Sequence, residues 1–283
     1  MKSSNKGKDF CVFALPGLFC FLAVVMVPFI YGIYLTLTDW NGVSSVKNFV
    51  GLSNFAAVMR DAQFWKSLLL TFKYVIAVVV LVNVIAFLLA YILTRGIKGQ
   101  NFFRAGFFTP NLIGGIVLGY IWQTLLNGLL SKWGQPLLSL SARNGFIGML
   151  ILLMWQQIGY MMIIYIAGIQ NIPTELIEAA EIDGANKFQT LYKIIIPMTM
   201  PSVTICLFLT LTNCFKLFDQ NLALTAGGPA KKTAMLAYDI YTTFYNRNGW
   251  EGVGQAKAVI FFIIVAAISL TQLYFTRRKE VEN

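Results

Sequence analysis

Lys216 and Asp219 stand three residues apart in an otherwise apolar run, with Asn213 and Gln220 close by. Ionisable groups at membrane depth are costly unless they pair or line a polar path, so they mark function by default. Two chemistries fit: a self-satisfied ion pair near one membrane surface, or a polar face for a polyhydroxylated solute. On a continuous helix begun at Pro201, Lys216 lies about 22 Å and Asp219 about 27 Å along the axis. Asn213, Lys216 and Gln220 then share one face, beside the aromatic rings of Phe215 and Phe218. Sugars need dense donors and acceptors together with flat aromatic surfaces, and this face offers both. Trp155, Gln156, Gln157 and Tyr160 form a second such group, with Gln156 and Tyr160 one helical turn apart. Amides in apolar helices also serve as interhelical glue, and that plainer reading stays open for them. Asn111, next to Pro110, and Gln123 are further polar candidates.

A different chemistry is written into residues 170–200, where Glu175, Glu178, Glu181 and Asp183 stand against Lys187 and Lys193. Pro173 suits a first helical turn, and Glu175 and Glu178 suit its positive end. Gly184 permits a chain reversal that a Cβ would hinder. Phe188, Leu191, Tyr192 and Ile195 follow on one face of a second segment, which Pro197 and Pro201 are expected to end. The pattern predicts a helix, a glycine turn and another helix lying at a membrane surface. It is either an interfacial hairpin without a partner or a knob offered to another protein. Surface-bound membrane helices usually carry Lys and Arg on the polar face. Acids there favour a basic protein groove, and the small Ala179 and Ala180 allow close backbone approach.

What positions these residues is a membrane fold. The 283-residue chain is 57% hydrophobic and only 12% charged, too few charges for a water-soluble fold. It contains no histidine, which removes the usual general base and zinc ligand. Cys11, Cys20, Cys206 and Cys214 all lie in apolar runs without metal-ligand spacing and read as small core residues. Six stretches are long enough to cross a bilayer: 10–37, 67–93, 103–126, 146–169, 201–224 and 256–275. The first is too long for a signal peptide's apolar region and lacks a small-residue cleavage site, so it is expected to be retained. The net charge of +10 points to lipid headgroups before nucleic acid.

Clusters of basic residues orient the chain. Lys2, Lys6 and Lys8, then Arg95, Lys98 and Arg104, then Arg277, Arg278 and Lys279 fall on one side if both termini are cytoplasmic. Trp40, Trp65, Trp133 and Trp250 lie near the opposite ends. The expected fold is all-α and polytopic: one domain over 1–283, a core of about 67–276, and a cytoplasmic hairpin at 170–200 between the fourth and fifth helices. No GxxxxGK[ST] phosphate-binding loop is present, so the chain cannot harvest nucleotide energy alone.

Glu178-Ala179-Ala180, then Gly184, then Ile194 and Ile196-Pro197 resembles the EAA motif of ABC-importer permeases, with Ile196 where that family has Leu. Phe215 to Asp219 with Leu224 to Pro229 resembles a segment of the carbohydrate-uptake, maltose-type subfamily, and Phe103-Arg104 through Pro110 the start of its third helix. The resemblance spans nearly the whole chain. It implies a half-transporter in a bacterial cell membrane. Its partners would be a second, similar permease, preferably a different chain, two copies of a cytosolic ATPase and an extracytoplasmic substrate-binding protein. ATP and Mg would be bound by the ATPase, and this chain would hold no cofactor of its own. Glu178, Ala179, Ala180, Asp183, Gly184, Lys187 and Pro197 would couple to the ATPase, with Glu178 facing a basic residue. Trp155, Gln156, Gln157, Tyr160, Asn213, Phe215, Lys216, Asp219 and Gln220 would line the sugar pathway, although Lys216 stands where relatives often carry a neutral amide. Gly227, Gly228 and Pro229 would meet the binding protein. A polyol or glycerol phosphate is the alternative substrate class. A stand-alone secondary transporter is a further alternative, but no internal repeat supports it. An enzyme is disfavoured, since no carboxylate pair lies within the crossings.

Overall fold

The structure is a computed structural model and describes residues 10–44 and 47–280. Lys2, Lys6 and Lys8 lie outside the described residues. Among the described residues four helices are continuous, long and apolar enough to cross a membrane: α1 (Val12–Leu35), α3 (Ala62–Leu93), α6 (Ala142–Gln170) and α12 (Glu251–Arg277).

Two expected crossings are bent pairs. The third is α4 (Gln100–Phe108), continued by a short 3-10 turn to Leu112, and then α5 (Gly115–Lys132), with a 103° bend between them. Pro110 removes an amide donor, and the extended backbone at Ile113 and Gly114 turns the chain. The fifth is also not continuous. α8 (Lys187–Met198) meets α9 (Met200–Phe215) at 67°, and a second break at Lys216–Phe218 precedes α10 (Asp219–Leu224). The expected end at Pro197 moves to Thr199. A wide π-turn over Leu191–Ile195 precedes Pro197, so the helix carries the proline instead of stopping at it.

The chain divides into two compact units. One comprises Met1–Phe64 with Ile240–Phe261 and contains α1, α2 (Ser53–Arg60), the end of α11 (Leu236–Asn246) and the start of α12. Most of α1 is exposed on all sides, Cys20 included, so that cysteine is not the core residue expected. Gly32 of α1 is an exception, because a Cβ there would strike the Gln255 amide. Asn54 closes the loop after α1 by donating to the Thr36 and Thr38 carbonyls, both at 2.8 Å.

The second unit comprises Trp65–Asp239 with Phe262–Asn283. Its core forms where α3, α6 and α9 pack through buried side chains. The Tyr74 hydroxyl donates to the Met149 carbonyl at 2.9 Å, and Tyr165 donates to Asn83 at 2.7 Å. Cys206 and Cys214 are buried there, as small apolar residues should be. Small residues bring helices to contact, as membrane packing demands. A Cβ on Gly159 of α6 would overlap the Phe107 carbonyl of α4, and one on Gly119 of α5 would lie 2.5 Å from the Ala223 Cβ of α10.

Candidate functional site

The acidic segment folds as its residues predict. α7 (Thr174–Ile182) begins after Pro173 with Glu175 in its first turn. Gly184 closes the turn at φ +78°, a left-handed conformation that glycine adopts without strain. Asn186 then caps α8: its side chain accepts from the Phe188 and Gln189 amides, while Gln189 accepts from the Asn186 amide at 2.8 Å. This is the reciprocal arrangement that fixes a helix start. Glu178, Ala179, Asp183, Gly184 and Lys187 are exposed, and Ala180 and Pro197 are half-buried. The second segment does not present the single face expected. Ile195 is buried at 6% exposure, whereas Phe188 and Tyr192 are exposed and stack on each other with ring centroids 6.2 Å apart. The hairpin therefore offers carboxylates beside bare aromatic surface.

The amides of the two broken crossings meet at one place. Gln220 donates to the Gln156 side-chain oxygen at 2.8 Å, and Gln156 donates to the Ile113 carbonyl at 3.2 Å, at the break before α5. Asn213 donates to Gln157 at 3.3 Å, and Asn111 donates to the Gln156 carbonyl at 3.5 Å. Gln123 reaches the Leu224 carbonyl, the last of α10, at 3.3 Å. Trp155 faces outward beside Trp122, with centroids 5.2 Å apart. Tyr160 lies by Phe108 of α4 and stays one helical turn from Gln156 on the continuous α6.

Lys216 and Asp219 behave differently from their placement on one continuous helix. The break after Lys216 cancels the face that Gln220 was to share with Asn213 and Lys216, and the height of Asp219 along a single axis. Both are exposed, and they form no ion pair. Asp219 instead lies against Gly115, the first residue of α5, whose amide end is positive. Phe215 is 1% exposed and packs edge-on against Phe72, so it supports the core instead of lining a path.

Ala226 to Lys231 forms a tight turn. Gly227 at φ +75° is buried, and the Gly228–Pro229 bond is cis. Thr233 donates to the Gly228 carbonyl at 2.6 Å, and Asn221 donates to the Thr233 carbonyl at 2.9 Å. The exposed residues of this turn are Ala226, Ala230, Lys231 and Lys232, while Gly228 and Pro229 are half-buried.

Sequence reasoning missed the most deeply buried charge among the described residues. Lys257 of α12 is fully buried, lies 2.8 Å from Asp61 and donates to the Thr243 hydroxyl at 2.8 Å. Arg247 adds a second cation 3.6 Å from the same carboxylate. Burial pushes the Asp61 pKa up, but the Lys257 hydrogen bond and charge, the Gln63 amide and Arg247 outweigh it and hold it below the ordinary carboxylate value. Lys216 and Asp219 are thus not the buried ionic pair of this chain. The signal was present: Lys257 falls inside the expected 256–275 crossing, where a lysine demands a partner.

Comparison with known proteins is consistent with this architecture. The permease protein AmyD of Thermoanaerobacterium thermosulfurigenes, described as a probable starch degradation products transport system permease, is 46% identical over 99% of this chain and 98% of its own length. The multiple sugar-binding transport system permease protein MsmF of Streptococcus mutans is 32% identical over 90% of both chains. A solved bacterial ABC transporter involved in import of the acidic polysaccharide alginate matches with a TM-score of 0.81 and 18% identity, covering 96% of each chain, a likeness of fold. Residues 83–281 match the family described as the binding-protein-dependent transport system inner membrane component. A polytopic helical chain with a helical hairpin following its fourth crossing, matched over most of its length, belongs to that family of transport permeases and is a transport subunit, not an enzyme.

Proposed function

We propose that this chain is one permease half of an ATP-driven importer for a sugar or oligosaccharide. It would work in a bacterial cytoplasmic membrane with both termini and the α7–α8 hairpin on the cytoplasmic side. The observation that carries the substrate class is the amide cluster at the two helix breaks. Gln156, Gln157, Asn213 and Gln220 are brought together there, and Trp155, exposed and paired with the half-buried Trp122, precedes Gln156 along α6. That is the mixture of donors, acceptors and flat apolar surface that a sugar needs. The names of the two relatives, starch products and multiple sugars, support the same class.

The hairpin is the coupling element. Glu178 and Asp183 meet a basic groove of a cytosolic ATPase, while Phe188 and Tyr192 give it apolar grip. Two copies of that ATPase carry ATP and Mg, and a second, similar permease completes the pathway. The hairpin is tied to α6 and α9 by short connections, so closure of the ATPase pair moves those helices as bodies and rearranges the helix breaks. An extracytoplasmic binding protein delivers the sugar at the turn around Gly228 and Pro229, with Lys231 and Lys232 exposed beside it.

Co-expression with the proteins encoded beside it, followed by capture on a C-terminal tag, tests this assembly. Wild type is expected to bring down an ATPase and a second permease, and Glu178→Lys to lose the ATPase while keeping the permease. Wild type alone with all subunits made would overturn the importer reading. Uptake of maltodextrins by vesicles holding the complete complex then tests the substrate class.

A further inference from the structure

A cavity of about 440 Å³ opens between the end of α3, the end of α6 and the inner side of the α7–α8 hairpin. Its walls differ in character. Ile169, Ile172 and Ile195, all buried, form an apolar floor. Arg95 and Lys187 stand at its rim and are exposed, with the single carboxylate of Glu181 opposite them. The Arg95 guanidinium lies 4.2 Å from the centre of the Tyr91 ring and donates to its hydroxyl, and Tyr91 lines the same cavity. Both crossing helices stop here, at Leu93 and Gln170. The cavity therefore sits at the depth of lipid headgroups. It presents a net cationic rim to that layer and an isoleucine floor below it.

We propose that this cavity holds the phosphate and glycerol region of an anionic phospholipid. Two cations against one acid leave a net positive charge for a phosphodiester, and guanidinium is the group that best grips a phosphate with two parallel bonds. Basic pockets between transmembrane helices are a known form of lipid recognition. A sugar would meet too much aliphatic wall here, and a free phosphate would leave the isoleucine floor wet. The lipid sits as a wedge between two crossings and the hairpin, and so sets the angle at which the hairpin projects. Membrane composition is then an input to coupling, separate from substrate and nucleotide.

The test uses the full chain in nanodiscs without any ATPase, so it can fail while the importer reading stands, and the importer reading can fail while it stands. Phosphatidylglycerol carrying a photoreactive group near its glycerol is expected to crosslink to peptides covering 91–95 and 174–195, in preference to the matching phosphatidylcholine. Arg95→Gln and Lys187→Gln are each expected to lower crosslinking roughly fivefold, the effect of one basic charge at an anionic surface. Lys231→Gln, on an exposed cation of another loop, is the control and leaves it unchanged. Ile177→Trp fills the cavity with no change of charge and is expected to abolish crosslinking, with melting temperature followed to show that the variant folds. Equal labelling by the two lipids, or labelling indifferent to Arg95→Gln and Ile177→Trp, overturns the proposal. Full competition by inorganic phosphate also overturns it, because the occupant is then a soluble phosphate.

Discussion

The ammonium of Lys257 lies 2.8 Å from the carboxylate of Asp61, with the lysine side chain wholly out of solvent. The pair joins the residue just before α3 to the first turns of α12, and the Thr243 hydroxyl satisfies a further donor of the same ammonium. A buried charge of this kind is tolerable only while its partner is present.

Asp61→Asn strands the lysine, and a loss of about 3–5 kcal/mol is expected. Asp61→Asn combined with Lys257→Met removes both charges and is expected to recover most of that loss. Thermal melts of the purified chain in detergent read both. The acid side carries the same signature. The Asp61 pKa is lowered in the fold, so its contribution is complete at neutral pH. That contribution is lost as pH falls from the ordinary carboxylate range, near 3.9, down through the lowered value. A stability profile from pH 7 downward should show this acid-dependent loss in wild type and a smaller one in the double variant.

Gly159 is pressed against the Phe107 carbonyl, and backbone cannot step aside as a flexible side chain can. Gly159→Ala is expected to destabilise by about 1–3 kcal/mol by forcing α4 from α6. Gly106→Ala, on a helix with open space at that point, is expected to be neutral or stabilising by up to about 1 kcal/mol. If both variants melt alike, close packing at Gly159 is refuted.

Gln156 and Gln220 form one hydrogen-bonded unit across helices. A double-mutant cycle with leucine at each position is expected to give a coupling near 0.6 kcal/mol, and no more than about 1.7. In transport assays each single variant should raise KM for the sugar more than it lowers kcat, as the proposed role of these amides in holding the solute requires. A coupling of zero would separate the two residues.

Gly184→Val places a branched side chain at φ +78° and is expected to cost about 1–3 kcal/mol within the hairpin. Gly184→Asn, a residue that tolerates this conformation, should cost far less. The hairpin is exposed and at the edge of the fold, so the effect should appear as lost ATPase stimulation by substrate in the assembled complex, with little change in global melting temperature.

The hairpin was legible because its signals are local: Pro173 at a start, acids in the first turn, glycine at the reversal. The continuous crossings were legible because apolar length alone declares them. The breaks were harder. Pro110 and the Gly114-Gly115 pair mark the first, but no proline or glycine marks Lys216–Phe218. That break is fixed from outside, by Gln156 holding Gln220 and by Asn221 bonded to Thr233 and to the Met235 amide. Asp219 moved from its expected place for that reason; Phe215, the last residue of α9, lies before the break and is buried by its packing against Phe72. Lys257 was visible as a lysine in an apolar run, yet its partner Asp61 lies far away in sequence, and periodicity carries no information about such pairs.

The amide of Gln156 occupies an ambiguous position. Its nitrogen serves the Ile113 carbonyl, freed by the helix break, and its oxygen is taken by Gln220. One N–H and one lone pair of that amide remain unused, so on the proposed reading an arriving hydroxyl binds Gln156 without displacing either partner. Recognition on that reading is an addition to a framework already held: the internal bonds fix the direction of the unused donor and acceptor before any solute arrives.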